Sequence, residues 1–185
     1  MNDTVLAHLA QNAALKLHLG GEERKPGWTI VNAMDSDITD IVCDINDLDD
    51  FPSGCAESIY ASHILEHLSY QRKTLNVTEQ IFRILKPGGT FYVSVPNLQV
   101  LGAFLANPNL PLDKQQKVLR IIYGGQIHDW DFHFAGFTPD VLEALLKTAG
   151  FANVRRVDTF DLFDDTSSSK LGDHYISVNC VAVKG

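Results

Sequence analysis

The stretch that decides the fold runs from Ser58 to Pro96 and reads SIYASHILEHLSYQRKTLNVTEQIFRILKPGG-TFYVSVP, the hyphen falling between Gly89 and Thr90. An apolar strand enters a polar turn, then a helical run, then Lys86-Pro87-Gly88-Gly89, then a second apolar strand. That order is a β-α-β unit of a parallel sheet. The helical run over Gln71–Leu85 places Leu75, Thr78, Ile81, Phe82 and Leu85 on one stripe, and the Lys-Pro-Gly-Gly segment stops it. Open α/β sheets bind ligands beyond the carboxyl ends of their strands. Ala61, Ser62 and His63, where the first strand of the unit stops, therefore form one wall of a pocket.

Working outward, Leu15, Leu17 and Leu19 alternate with Lys16 and His18, the period of a strand covered well on one side only. Gly20-Gly21 ends it. Further strands are expected over Trp28–Asn32 and about Asp40–Asp44. The gaps between these strands are shorter than the dozen or so residues that a helical crossover requires, so the helices after the first and second strands are expected to be absent or shortened to a turn. A helix over Asp113–Tyr123 ends at Gly124-Gly125. Another over Thr138–Ala149 has Thr138 as cap, Pro139 at its first position and Gly150 past its end. Val154–Val157 and Ile176–Val183 complete the strands, joined by the polar loop Asp164–Ser169. At the other end, Val5, Leu6, Leu9 and Ala13 recur at helical spacing.

Composition bounds the function. The chain has 185 residues, 45% of them apolar, and a formal net charge of −8, which suits one domain spanning residues 1–185 and disfavours a nucleic-acid backbone as ligand. Arg155-Arg156 is too short to form a basic patch. Nothing approaches a membrane-spanning run. The N-terminal segment lacks a basic region and a small-residue cleavage site, so a cytoplasmic location is expected. Cys43, Cys55 and Cys180 are odd in number and widely spaced, as buried thiols would be.

The wording LEH, followed by LKPGG and a β-rich strand, resembles the class I methyltransferases that use S-adenosylmethionine; the likeness extends more loosely from Leu15 to about Val183. It implies a Rossmann-like α/β sheet of seven strands, mostly parallel with an antiparallel last strand. The family's glycine-rich loop, which passes beneath the amino acid end of the cofactor, falls on His18, Gly20 and Gly21, with one glycine pair and a histidine where three alternating glycines and an acid are usual. The family's acid at the end of the second strand, which receives the ribose hydroxyls, falls on Asn32, with Asp35 as a replacement three residues later. Asp44-Ile45 resembles the pair that receives the adenine, and Ser62 lines the pocket. Asp44 is equally readable as part of a solvated acidic loop with Asp47, Asp49 and Asp50.

Methyl transfer from a sulfonium needs alignment and, for a hydroxyl or amine acceptor, removal of a proton. His63 is the first candidate base, with His67 one turn later. In the family register, the segment Gln126–His133 matches the variable acceptor loop and brings His133 near. His63-x-x-Glu66-His67 is also a metal-ligand spacing. A divalent ion held by His63, Glu66 and His67, with His133 completing the set, would fit either a metal-assisted methyltransferase or a zinc hydrolase. The resemblance implies a small polar acceptor, with sugars suggested by short members of the family. The altered glycine loop leaves a non-catalytic association module as a further alternative. The sheet face left bare by the missing helices points to a homodimer.

Overall fold

The structure is a computed structural model that describes Val5, Ala7, His8 and residues 15–71 and 73–185. The helix expected around Val5–Ala13 otherwise lies outside the described residues; Val5 is buried in the core. The main sheet has seven strands: β1 (Leu15–Leu19), β2 (Thr29–Asn32), β3 (Ile41–Val42), β4 (Ala56–Ser62), β5 (Leu85–Pro96), β6 (Asn153–Val157) and, late in the chain, β9 (Ser177–Val183). Their spatial order is β3-β2-β1-β4-β5-β9-β6. All neighbouring pairs up to β5 are parallel, and β9 runs antiparallel between β5 and β6. A separate ribbon is formed by β7 (Lys170–Leu171) and β8 (His174–Tyr175).

Four helices are described: α1 (Lys73–Ile84), α2 (Leu98–Leu105), α3 (Leu112–Tyr123) and α4 (Pro139–Thr148). The α1 stripe is shifted from the expected one. Thr74, Val77, Thr78, Ile81 and Ile84 are buried, while Leu75 and Phe82 are half-buried. The α4 boundaries follow from its cap: the Thr138 hydroxyl accepts from the Val141 N–H at 3.3 Å, and Pro139 occupies the first turn. One sheet face carries Leu15, Leu17, Leu19, Ile59, Phe91 and Val93, all buried. Ile81 from α1, Leu142 and Leu146 from α4, and Phe151 share that core.

The other face shows what replaces the missing helices. No helix joins β1 to β2 or β2 to β3 among the described residues. Instead the segment 158–169, after β6, folds back across the sheet. Tyr60, in the middle of β4, is fully buried, with ring centroids 4.7 Å from Phe163, 5.5 Å from Phe160 and 5.0 Å from His18. The segment is stitched down at both ends: Asn179 Nδ2 donates to the carbonyls of Asp158 (2.7 Å) and Ser167 (2.9 Å), and Lys25 Nζ donates to the Leu162 carbonyl. The loop read from sequence as a connector is thus a cover. It narrows the bare surface to a half-buried strip that includes Lys16, Ser58, Thr90 and Tyr92.

After β5, α2 and α3 build a satellite core with the β7–β8 ribbon, in which Leu101, Val118, Leu171 and Ile176 are buried together. Neither α2 nor the ribbon was expected from the sequence.

Candidate functional site

The chain leaves β1 toward β2 and returns on the opposite side as β4, so the carboxyl ends of β1 and β4 border the switch point of the sheet. A cleft of about 720 Å³ opens there. Of the residues expected to hold a cofactor, His18, Gly20, Asn32, Asp44, Ile45 and Ser62 line it; of the expected chemical residues, His63 and His67 do.

Gly20 explains the tight turn out of β1. It has φ +67°, and a Cβ there would lie 2.0 Å from Ile64 Cδ1, so only glycine fits without strain or repacking. Its N–H donates to the Val31 carbonyl at 2.7 Å. Gly21 does not line the cleft; a Cβ on it would meet the His18 ring at 2.8 Å. Its role is to leave room for that ring. His18 is buried, and burial lowers its pKa to about 4 against the opposing charges of Asp165 and Glu23. The histidine standing where an acid is usual is therefore neutral at pH 7.

Three further cofactor expectations change. Asp35 is exposed in the turn after β2 and is not on the cleft wall. A short loop of Met34–Thr39, closed by Thr39 Oγ1 on the Met34 carbonyl (3.0 Å), carries it outward. Asn32 is on the wall, but its Oδ1 accepts from the Met34 N–H (3.1 Å) and its Nδ2 donates to the Gly21 carbonyl (3.5 Å), so the side chain ties the two loops together. Asp44 Oδ1 likewise accepts from the N–H and side-chain amide of Asn46, at 2.9 and 2.8 Å. Its Ile45 neighbour supplies apolar wall.

Several acidic wall residues were missed, among them Glu22, Glu23, Asp164 and Asp165. Asp165 lines the cleft, and its carboxylate accepts from the Tyr60 hydroxyl (2.8 Å) and the Ser167 N–H (2.9 Å). Its distance in sequence hid it, since nothing near residue 165 refers to β1.

At the end of β4, His63 adopts φ +55°, a left-handed conformation uncommon outside glycine and frequent at functional sites. The Ser177 hydroxyl donates to the Thr166 carbonyl (3.0 Å), so the 2.8 Å contact between His63 Nε2 and Ser177 Oγ is one in which the imidazole donates. His63 Nδ1 then faces Glu66 Oε1 at 3.1 Å, outside hydrogen-bond geometry. With Nε2 protonated, His63 offers no lone pair to an acceptor from that side.

The 3-10 turn Leu65–His67 follows. The Glu66 carbonyl accepts from the N–H groups of Phe134 (2.8 Å) and Ala135 (3.0 Å), which pins the loop after α3 against the turn. His67 Nδ1 lies 3.1 Å from the Phe132 carbonyl; a carbonyl only accepts, so Nδ1 carries the proton and Nε2 is left with its lone pair. His133 is not on the cleft wall. Its ring stands edge-on to that of His67, centroids 4.6 Å apart, and burial lowers its pKa, the Glu66 charge opposing. The acceptor-loop residues that reach the cleft are His128, Trp130 and Asp131. Burial works against the Asp131 carboxylate, yet N–H donors from Gly125 and Ile127 hold its pKa below the usual range and shape the loop.

Glu66, His67 and His133 each offer a ligand atom, all within 4.8 Å of one another; His63 is not in this group. A zinc-hydrolase arrangement would bring His63 and His67 to one ion, and this turn does not do so. Cys43 also lines the cleft, but burial, then the charges of Asp47 and Asp44, push its thiol up to about 11, which makes it a poor nucleophile.

Sheet order, switch-point cleft and glycine turn together define a Rossmann-like methyltransferase fold. A family model described as a methyltransferase domain matches residues 17–156, and the chain belongs to that family. No curated protein sequence matches the chain. Among solved structures, an S-adenosylmethionine-dependent methyltransferase from Archaeoglobus fulgidus is similar at 16% identity and a TM-score of 0.59, over 97% of this chain and 89% of that one. Human N-acetylserotonin methyltransferase, in complex with S-adenosylmethionine, is similar at 18% identity and 0.55, over 98% of this chain and 52% of that one. The 1,6-didemethyltoxoflavin-N1-methyltransferase of Burkholderia thailandensis, with its substrate and S-adenosylhomocysteine bound, is similar at 16% and 0.56, over 99% and 77%. The chain thus spans about half the length of the human enzyme.

Proposed function

We propose that the protein transfers a methyl group from S-adenosylmethionine to a small polar acceptor. The observation that carries this is the switch-point cleft, with its glycine turn at Gly20 and its apolar wall of Ile45, Ile64 and Leu68, in a chain of the methyltransferase family. A volume of about 720 Å³ suits a nucleoside-amino acid ligand with space for an acceptor. The cofactor supplies the electrophilic methyl; the chain's residues bind it, orient the acceptor and take up the acceptor's proton. Ile45 would pack on the base. Asp165, beside neutral His18, would receive the α-amino group, replacing the acid missing from β1. Catalysis would rest on alignment, with His67 rather than His63 or His133 presenting an open nitrogen at the wall. Trp130 at the mouth favours acceptors with a flat or ring-shaped face, sugars included.

The test is formation of S-adenosylhomocysteine by the purified protein with panels of small sugars, phenols and amines. Turnover with one class supports the reading, and its absence across panels, despite cofactor binding, would remove the small-acceptor assignment. A second reading draws on the tied side chains of Asn32 and Asp44: a domain that kept the fold, binds the cofactor weakly and acts by association. We further propose a cytoplasmic location, and self-association through the strip at Lys16, Ser58, Thr90 and Tyr92. Light scattering that shows only monomer at micromolar concentration would exclude the latter.

A further inference from the structure

The structure assigns a divalent transition-metal site to Glu66, His67 and His133, at the inner end of the acceptor side of the cleft. Three independent observations converge there. Glu66 has no exposed surface, and neither carboxylate oxygen has a hydrogen-bond partner. The imidazole beside it, that of His63, has Nδ1 3.1 Å from Oε1 without hydrogen-bond geometry and leaves Oε2 unserved; a buried carboxyl group in that state is costly, and such groups are normally paired or bound to metal. His133 Nδ1 is likewise buried and without a partner. His67, whose Nδ1 proton goes to the Phe132 carbonyl, is left with a bare Nε2. A backbone carbonyl on the far nitrogen is the usual way a metal-binding imidazole is oriented.

The geometry agrees. Ligand atoms about 2 Å from one ion lie within about 4 Å of each other, so the observed 4.8 Å envelope closes with side-chain shifts of a few tenths of an ångström. The backbone is already committed, because the N–H groups of Phe134 and Ala135 on the Glu66 carbonyl hold the two halves of the site together. Two imidazoles and one carboxylate suit zinc, iron or similar ions rather than magnesium or calcium. Three protein ligands leave coordination open, and His67 is the one that also lines the cleft. The open side is thereby available to an oxygen of the acceptor; with the ion on its Nε2, His67 would serve as ligand instead of base, and the ion would acidify a bound hydroxyl so that its proton leaves to solvent. Resting on the proposed methyl transfer, this makes hydroxyl compounds the favoured acceptor class.

The experiment is titration of the metal-stripped full chain with Zn²⁺ by calorimetry, and with Co²⁺ followed by visible absorption, both without S-adenosylmethionine. The expected result is one ion per chain at roughly micromolar affinity or tighter. Glu66→Gln and His133→Ala should each lower affinity by about 100-fold or more, and His174→Ala, an exposed histidine on β8, should leave it unchanged. Thermal unfolding keeps the variants interpretable: Zn²⁺ should raise the melting temperature of the wild type and not that of folded Glu66→Gln. Absence of binding to the wild type, or binding that survives in Glu66→Gln and His133→Ala, would overturn the assignment. Metal binding without cofactor binding would retain the site and overturn the methyltransferase reading instead.

Discussion

His67 Nδ1 and the carbonyl oxygen of Phe132 are 3.1 Å apart, across 65 residues of chain. Together with the two hydrogen bonds on the Glu66 carbonyl, this contact fastens the loop after α3 to the turn after β4. The loop's entry depends on Gly124, which has φ +82° and whose Cβ, if present, would lie 2.2 Å from the Asp131 carbonyl oxygen. Gly124→Ala is expected to cost about 1–3 kcal/mol from the backbone alone, since φ +82° with ψ 167° is a region essentially confined to glycine, and to move His133 away from Glu66. Chemical unfolding gives the first quantity and Zn²⁺ titration reports the second. Wild-type affinity in this variant would show that the loop does not set the site.

Gly20→Ala tests the turn beneath the cofactor. Its positive φ and the overlap with Ile64 predict a loss of about 1–2 kcal/mol in stability. A drop in S-adenosylhomocysteine affinity of about tenfold or more should accompany it. Calorimetry on the variant checks both, and unchanged affinity would place the ligand elsewhere.

Asp165→Asn separates the two ends of the ligand. Loss of a charge-assisted contact of roughly 1.5 kcal/mol should weaken S-adenosylhomocysteine about tenfold while leaving 5′-methylthioadenosine, which lacks the amino acid, unchanged. Equal weakening of both would mean that Asp165 acts only through Tyr60 and the covering segment.

His18 gives the fold a pH dependence. Its folded pKa of about 4 lies below the ordinary 6.5, so the unfolded chain takes the proton first as pH falls. The stabilisation is complete above pH 6.5, declines through the window down to about pH 4 and is flat below it. It amounts to about 3 kcal/mol at most. Denaturant unfolding across that window should be steeper in pH for the wild type than for His18→Gln, and parallel curves would contradict the assignment.

Much of the fold could be read before any coordinates. The Leu15–Leu19 alternation, the helix stop ahead of Lys86–Gly89 and the Thr138-Pro139 cap are local signals with local causes, and the short spacings between β1, β2 and β3 announced the missing helices; the Lys86–Gly89 segment itself is not a separate turn but the start of β5. What filled their place could not be read, because Phe160 and Phe163 reach Tyr60 from about 100 residues away. The cleft wall was similarly divided. Gly20, Ile45 and Ser62 follow strand ends, where topology alone puts them. Asp165 does not, and the occupied side chains of Asn32 and Asp44 depend on turn hydrogen bonds that residue identity does not reveal. The ligand cluster shows both cases: Glu66, His67 and the remote His133 come together as the motif suggested, whereas His63, one turn before His67 in sequence, stays out of the group with its Nε2 on Ser177.

The most direct measurement is isothermal titration of the purified chain with S-adenosylmethionine and S-adenosylhomocysteine, with and without Zn²⁺. Binding of one ligand per chain at roughly micromolar affinity is the expected result. No heat of binding under either condition would contradict cofactor use and leave the association module as the function of this fold.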